Sequence, residues 1–185
     1  MTHGEVGARV MRSEFPLEQL VKHDSHRFQM GFARQVIRDV TQTRRFRDRV
    51  LFEASHDGLL MLAQNEEALA EPLNLLRDLY EESLVVLQPR VRYLSLGNEQ
   101  FEPIMVARVR VLPRDLQAVR ADLLAREATL LDEDRNRGAC VLRAEVPLRN
   151  LLGYGRELSA LTGGTGEYCS WLDRYARMPT GPNAA

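Results

Sequence analysis

His23 and His26 are the first residues of this sequence whose spacing could support chemistry. The two imidazoles stand three residues apart, which on a helix would place them on one face, as two ligands of a zinc ion would be. No cysteine or third histidine has a matching local spacing. Two solvated histidines at the start of a helix are the favoured explanation of the pair, and we expect no metal and no cofactor.

Nucleotide hydrolysis needs a glycine-rich loop that carries a lysine and cradles the phosphates. The single lysine, Lys22, lies in a segment with no such glycines. No serine or cysteine lies in a nucleophile elbow, and Cys140 and Cys169 have no pairing pattern, which indicates free thiols. The sequence therefore predicts a protein that is not an enzyme and binds no nucleotide.

Arginine is the residue type best suited to bind a partner, because every basic residue except Lys22 is arginine. Its planar guanidinium binds phosphate and carboxylate in a bidentate manner. A run after the first predicted helix contains Arg44, Arg45 and Arg47. Contact with phosphate or an acidic protein is one interpretation, and a solvated loop partly paired with Asp48 is the other.

Composition limits the class of protein. The 185 residues, 44% of them apolar, can form one large domain or two small ones with a buried core. The net charge of −1 gives no general basic character of the kind that indicates nucleic-acid binding. No export segment and no apolar run of about 20 residues is present, so we expect a cytoplasmic protein without membrane contact.

The C-terminal half has the pattern β-α-β-β-α-β, which is the ferredoxin-like split βαβ order. Its predicted elements are a strand at 105–111, a helix opened by Pro113, a short strand at 129–131, a polar turn at 134–138, a strand at 140–146, a helix with leucines over 148–161 closed by Gly163–Gly164, and a last strand at 168–175. Gly153 and Gly155 fall inside the second helical pattern. They indicate close approach of another backbone or tight docking of a partner.

The N-terminal half repeats this order more faintly. Its predicted elements are a strand at 14–20, a helix with its stripe over 28–40 capped by Asp24 or Ser25, a hairpin of 50–54 and 59–63, a helix ending near Tyr80 with Pro72 in its first turn, and extended segments at 84–87 and 91–94. The sequence thus predicts two tandem ferredoxin-like α+β domains with antiparallel sheets. Their predicted bounds are 1–96 and 97–179, followed by a disordered tail at 180–185.

Several motifs in the last third resemble the fifth, C-terminal domain of elongation factor G, the translocation GTPase of the bacterial ribosome. The matching positions are Glu102–Met105, Val146–Leu148, Gly153–Tyr154, Leu158, Thr162, Gly164, Gly166 and Tyr175. The first half resembles the family's third domain in element order, and Pro89, Val91 and Tyr93 match the segment that follows that domain. The family's GTPase and fourth domains have no counterpart in these residues.

The resemblance also implies a site. In the family, the turn that corresponds to Thr162, Gly164 and Gly166 faces ribosomal RNA, so these three residues are candidate RNA-binding positions. The glutamine and arginine of that turn are replaced by Gly163 and Thr165. A turn without arginine loses phosphate contacts, each of which contributes to salt-dependent RNA affinity.

A second candidate surface follows from the fold. The first and third strands of a ferredoxin-like sheet are central neighbours, so Arg108, Arg110 and Arg143 should project from its open face, with Trp171 beside them. Arginines next to an aromatic ring suit RNA stacking or a protein interface, and Glu145 would neutralise part of the patch. Alternatively, this face packs on the first domain.

The resemblance implies a non-catalytic elongation factor G-like protein that binds the ribosome or ribosomal RNA near the translation-factor site. The alternative is a protein-interaction subunit of a larger complex that kept the scaffold without RNA binding. A small-molecule sensor is a third hypothesis, because paired ferredoxin-like modules can hold ligands.

Overall fold

The computed structural model describes residues 12–25, 27–42, 46, 48–136 and 138–178. The chain divides into two compact units between Arg92 and Tyr93, four residues earlier than the sequence indicates. The difference arises because Leu94–Leu96 form a strand that pairs with the first long strand of the second unit. The predicted tail at 180–185 lies outside the described residues.

The first unit has a four-stranded antiparallel core sheet. Its elements are β1 Leu17–His23, α1 Gln29–Gln42, β2 Val50–Ser55, β3 Gly58–Ala63, α2 Glu66–Tyr80, a 3-10 turn Glu81–Ser83, β4 Leu84–Val86 and β5 Arg90–Val91. The strand order is β2-β3-β1-β4, and β5 also pairs with β1. This is the split βαβ arrangement, and the predicted hairpin is present with Ser55 opposite Gly58.

The start of α2 differs from the prediction that Pro72 lies in the first turn. The helix begins at Glu66, and the side chain of Asn65 accepts a hydrogen bond from the Ala68 backbone N–H at 2.9 Å. This N-cap and the acidic residues of the first turn favour the early start. Burial of Leu69 and Leu76 offsets the interior proline, which lacks a backbone N–H to donate.

The second unit has the same topology on a longer sheet. Its elements are β6 Leu94–Leu96, β7 Glu99–Val111, α3 Leu116–Ala125, β8 Thr129–Asn136, β9 Ala139–Pro147, a short α4 Leu148–Leu151, α5 Tyr154–Thr162 and β10 Glu167–Arg177. The strand order is β10-β7-β9-β8, with β6 also on β7, and every pairing is antiparallel. The predicted fold class, two tandem ferredoxin-like α+β domains, is confirmed.

Two elements of the second unit differ from their predictions. Strand β8 continues to Asn136, past the end predicted at 131, because its pairing with β9 runs as far as Ala139. The predicted helix over 148–161 is two helices, because Gly153 adopts a left-handed conformation with φ of 76° between α4 and α5. Glycine adopts this conformation without the strain that a Cβ causes, so Gly153 lies between the helices rather than inside one.

Within the described ranges, the structure contains no helix that is both long enough and apolar enough to cross a bilayer.

Candidate nucleic-acid interface

The sheet of the second unit has one face covered by helices and one open face. On β7, Met105, Ala107 and Val109 are fully buried, whereas Arg108 and Arg110 are exposed. Because successive side chains of a strand point to opposite faces, the two arginines lie on the side away from the helices. We call this side the open face.

The strand register brings the four predicted sheet residues together on the open face. Arg108 lies directly opposite Arg143 on β9, and opposite Cys169 on its other side, on β10. Trp171 is two residues along β10 from Cys169, so it shares this face, and it is 41% exposed. The open face therefore presents two adjacent guanidinium groups with an indole ring beside them.

Two other cations of this face are paired. The Arg174 guanidinium donates hydrogen bonds to both carboxylate oxygens of Glu145, at 2.7 and 2.8 Å, and Arg110 Nη1 lies 3.2 Å from a carboxylate oxygen of Glu167. The hydrogen bonds from Arg174 hold the pKa of the Glu145 carboxyl below its usual value. Glu145 is thus neutralised by a residue other than the predicted arginines.

Arg108 and Arg143 are exposed cations at the centre of the open face. No residue in the described part of the chain forms an ion pair or a hydrogen bond with either guanidinium. Asp132, on the edge strand β8, is opposite Arg143 in register but makes no ion pair with it. The open face therefore has a positive centre and an acidic border along β8.

Sequence reasoning missed Arg174, and the reason is local. The register of β10 against β7 shifts between Leu172 and Arg174, which is a β-bulge. In a regular strand, Arg174 would lie three residues from Trp171 and would therefore point to the face covered by helices. The extra residue of the bulge shifts the alternation by one position, so Arg174 lies on the open face. No signal in the sequence predicts a bulge at Asp173.

Two of the predicted turn residues, Thr162 and Gly166, stabilise the turn through internal hydrogen bonds and close packing. The Thr162 hydroxyl donates a hydrogen bond to Leu158 O at 2.7 Å and accepts one from Gly166 N–H at 2.9 Å. Thr162 is only 3% exposed, and a Cβ on Gly166 would lie 2.8 Å from the Thr162 hydroxyl oxygen. Gly164 has φ of 80° and is exposed. The contact surface of the turn consists of backbone and small side chains without positive charge.

Glu102, the first residue of the Glu-Pro-Ile-Met motif, has a structural partner. It is 5% exposed, and its carboxylate accepts a hydrogen bond from Arg149 on α4. The same guanidinium donates to Glu127 at 2.6 Å. Arg149 thereby joins the start of β7 to α4 and to the turn before β8.

Tyr154, of the Gly-Tyr motif, is fully buried. Its ring meets Tyr168 edge-on with centroids 5.0 Å apart, and the Arg126 guanidinium lies 5.0 Å above its centroid. Burial raises the pKa of the phenol well above its ordinary value, and its hydroxyl has no hydrogen-bond partner among the described residues. Both motifs thus act in packing the domain.

Several of the remaining sequence candidates fall on residues that the structure does not describe. Arg44, Arg45, Arg47 and His26 lie outside the described residues. His23 Nδ1 lies 2.9 Å from a carboxylate oxygen of Asp24. No group of three potential metal ligands occurs in the described part of the chain.

The first unit has a groove of about 440 Å³ on the open face of its own sheet. Leu20, Leu60 and Leu87 form its apolar lining, and the charged residues Glu18, Lys22 and Arg90 contribute both signs. The groove bears on the small-molecule hypothesis, but its mixed charges select no ligand class.

The second unit is an α+β domain with ferredoxin-like topology and with arginines on the open face of its sheet. Residues 99–184 match the family described as elongation factor G C-terminus. The second unit therefore matches the elongation factor G C-terminal domain, and the resemblance drawn from its motifs is confirmed.

The chain is similar to several curated proteins over about half of its length. It is 35% identical over 92 residues to elongation factor G of Rhodopirellula baltica, and this alignment covers 49% of this chain and 13% of that protein. It is 29% identical over 106 residues to elongation factor G 2 of Hahella chejuensis, covering 57% and 14%. It is 34% identical over 82 residues to the mitochondrial ribosome-releasing factor 2 of Danio rerio, covering 44% and 11%. The chain thus spans less than a sixth of each relative.

A solved structure of a Thermus thermophilus protein extends the likeness to both units at the level of fold. It aligns with 88% of this chain and 40% of its own chain, with a TM-score of 0.62 and 16% sequence identity. The fold of both ferredoxin-like units thus has a counterpart in this one solved chain.

Proposed function

We propose that this chain is a non-catalytic, translation-factor-like protein that binds the ribosome or ribosomal RNA near the translation-factor site. The observation that carries the proposal is the placement of Arg108 and Arg143, which have no ion-pair partner among the described residues, beside exposed Trp171 in the unit that matches the elongation factor G C-terminus. The domain match supports the ribosome as partner, and the open face supports RNA as the component contacted.

The chemistry of the open face suits RNA. Arginine binds phosphate through charge-assisted and often bidentate hydrogen bonds, and an exposed aromatic ring can stack on a base. The net charge of −1 for the whole chain means that RNA affinity must come from a local cluster of cations. The 162–166 turn has no arginine, so we assign the principal phosphate contacts to Arg108 and Arg143, with Arg110 held partly by Glu167.

Co-sedimentation with purified ribosomes over a salt series tests the proposal. We expect binding at low salt that weakens as salt rises, because each phosphate contact releases counterions. The double variant Arg108→Ala/Arg143→Ala should bind more weakly than the unaltered chain. Absence of ribosome association at every salt concentration would overturn the proposal.

The acidic border of the open face favours a second candidate, a protein-interaction subunit. Asp132 and Asp134 are exposed on β8 next to the arginines, and a protein with complementary charges of both signs would fit this arrangement. Affinity purification with and without nuclease distinguishes the two. A stoichiometric protein partner that survives nuclease supports the second candidate, and recovery of ribosomal particles supports the first.

A further inference from the structure

Arg108 and Arg143 form a like-charge pair at directly opposed positions of neighbouring strands. Side chains at such positions have Cβ atoms about 4.5 to 5.5 Å apart, and like charges there are mutually destabilising. Both arginines are exposed, and neither is neutralised by a residue in the described segments. An anion held between the two guanidinium groups would remove this repulsion.

Trp171 lies diagonally across from Arg108 on the neighbouring strand β10. Its direct neighbour on β7 is Val106, which is 5% exposed, and Arg108 is the next residue on that strand facing the same side. Diagonal neighbours of this kind are about 7 to 8 Å apart, within reach of long and aromatic side chains. A flat group bound beside the anion would therefore meet the indole ring above an apolar floor.

We infer that the open face binds an unpaired nucleotide, with one phosphate between Arg108 and Arg143 and the base stacked on Trp171. The inference rests on the proposed function and specifies which kind of RNA structure the site takes. Bases in a duplex are stacked on each other, whereas loops, bulges and single strands expose base faces to aromatic side chains. The RNA-recognition motif, another four-stranded sheet, stacks bases on its own open face.

The acidic residues around Arg108 and Arg143 determine which carboxylates could compete with a bound phosphate. Glu145 shares the face with Arg143 but is held by Arg174, and Glu167 is held by Arg110. Asp132, opposite Arg143, is the nearest acidic group in register that could compete with a phosphate. Asp132→Asn should therefore tighten binding, because it removes a negative charge beside the phosphate position.

Fluorescence provides a direct test, because Trp171 is the only tryptophan of the chain. The probe is a ten-nucleotide oligouridylate, compared with a fully paired RNA duplex of the same length and with inorganic phosphate. We expect saturable quenching by the single strand, little by the duplex and none by phosphate, because stacking on the indole requires an accessible base.

Variants identify the phosphate contacts. Arg108→Ala/Arg143→Ala should weaken the affinity for the single strand about tenfold or more, as expected for lost charge-assisted hydrogen bonds. Arg156→Ala is the matched control, since Arg156 is an exposed arginine on α5, which covers the opposite face of the sheet. Arg108→Lys/Arg143→Lys keeps the charge and should retain part of the affinity. Circular dichroism establishes that each variant is folded.

The outcomes separate this inference from the proposed function. Absent quenching, equal quenching by the duplex, or an affinity unchanged in the double alanine variant would each overturn the inference. If ribosome co-sedimentation persists in those cases, the proposed function stands and the RNA is bound in another way. Loss of both signals for the unaltered chain would overturn both.

Discussion

Arg174 on β10 reaches across β7 and binds the carboxylate of Glu145 on β9 through both of its oxygens. This pairing determines the charge that the open face presents. Glu145 is two residues from Arg143 on the same strand and, without Arg174, would be available to neutralise it. Because Arg174 occupies Glu145, no carboxylate in the described part of the chain pairs with Arg143 or its neighbour Arg108.

The first prediction concerns the Glu145 carboxyl. Its pKa is held low by the hydrogen bonds from Arg174, so Arg174→Ala should return it toward the ordinary value near 4.3. NMR titration of the glutamate carboxyl carbons measures this directly. The pair contributes stability that is present above the unfolded-state pKa and is lost as pH falls through the lower native pKa. An unchanged Glu145 pKa in Arg174→Ala would contradict the assignment.

The second prediction concerns Arg149 and the buried Glu102. Arg149→Met should lower the free energy of unfolding by about 2 kcal/mol or more, because it leaves a buried carboxylate without its partner. Adding Glu102→Gln should recover part of this loss, since the uncompensated charge is then removed. Urea unfolding of the single and double variants gives both values. If the two substitutions are simply additive, Glu102 and Arg149 are not coupled.

A matched pair of glycines supplies the third prediction. A Cβ on Gly166 would lie 3.0 Å from Leu158 Cγ and 2.8 Å from the Thr162 hydroxyl oxygen, whereas one on Gly155 would meet only the Tyr168 ring at 3.9 Å. Gly166→Ala should therefore destabilise the domain by about 1 to 3 kcal/mol through overpacking. Gly155→Ala, in helix α5, should stabilise it by up to about 1 kcal/mol.

Denaturant unfolding of both glycine variants is the measurement. Equal effects of the two substitutions would show that the turn at 162–166 adapts freely, contrary to the close packing of Thr162 around Gly166.

The fourth prediction separates the ring of Tyr154 from its hydroxyl. Tyr154→Phe removes a buried hydroxyl for which the described residues supply no hydrogen-bond partner, so it should leave stability unchanged or raise it by about 1 kcal/mol. Tyr154→Ala should cost about 3 to 5 kcal/mol, because it empties a large core volume. A strong loss in Tyr154→Phe would reveal a hydrogen bond to the hydroxyl.

The Tyr154 phenol also gives a pH signature. Burial raises its pKa in the native state, while the unfolded chain ionises near the ordinary value of about 10. Stability should therefore fall as pH rises above about 10. This component of the alkaline decline should be absent in Tyr154→Phe, which has no ionisable group at this position.

Residues with strong periodicity were predicted correctly from the sequence. The alternation of Arg108 and Arg110 with buried Val109 placed both arginines on one face, because a strand has a period of two. The adjacent glycines Gly163 and Gly164 correctly predicted where helix α5 ends. Both adopt a positive φ, as residues that terminate a helix commonly do.

Features that depend on tertiary contacts were not predictable. The bulge before Arg174 follows from how β10 fits against β7, and the polar residues 132–136 form a strand only because β9 supplies a partner. Pro72 within α2 is tolerated because the helix packs its leucines in the core. Each of these cases is a local preference overridden by packing.

The most direct test of the account is the salt dependence of ribosome binding by the unaltered chain, Arg108→Ala/Arg143→Ala and the control Arg156→Ala. If two phosphate contacts are made by Arg108 and Arg143, the double variant should bind more weakly, and the slope of log affinity against log salt should decrease by about 1.5. Arg156→Ala should match the unaltered chain in both respects. Identical affinities and slopes for all three proteins would contradict the assignment of RNA binding to the open face.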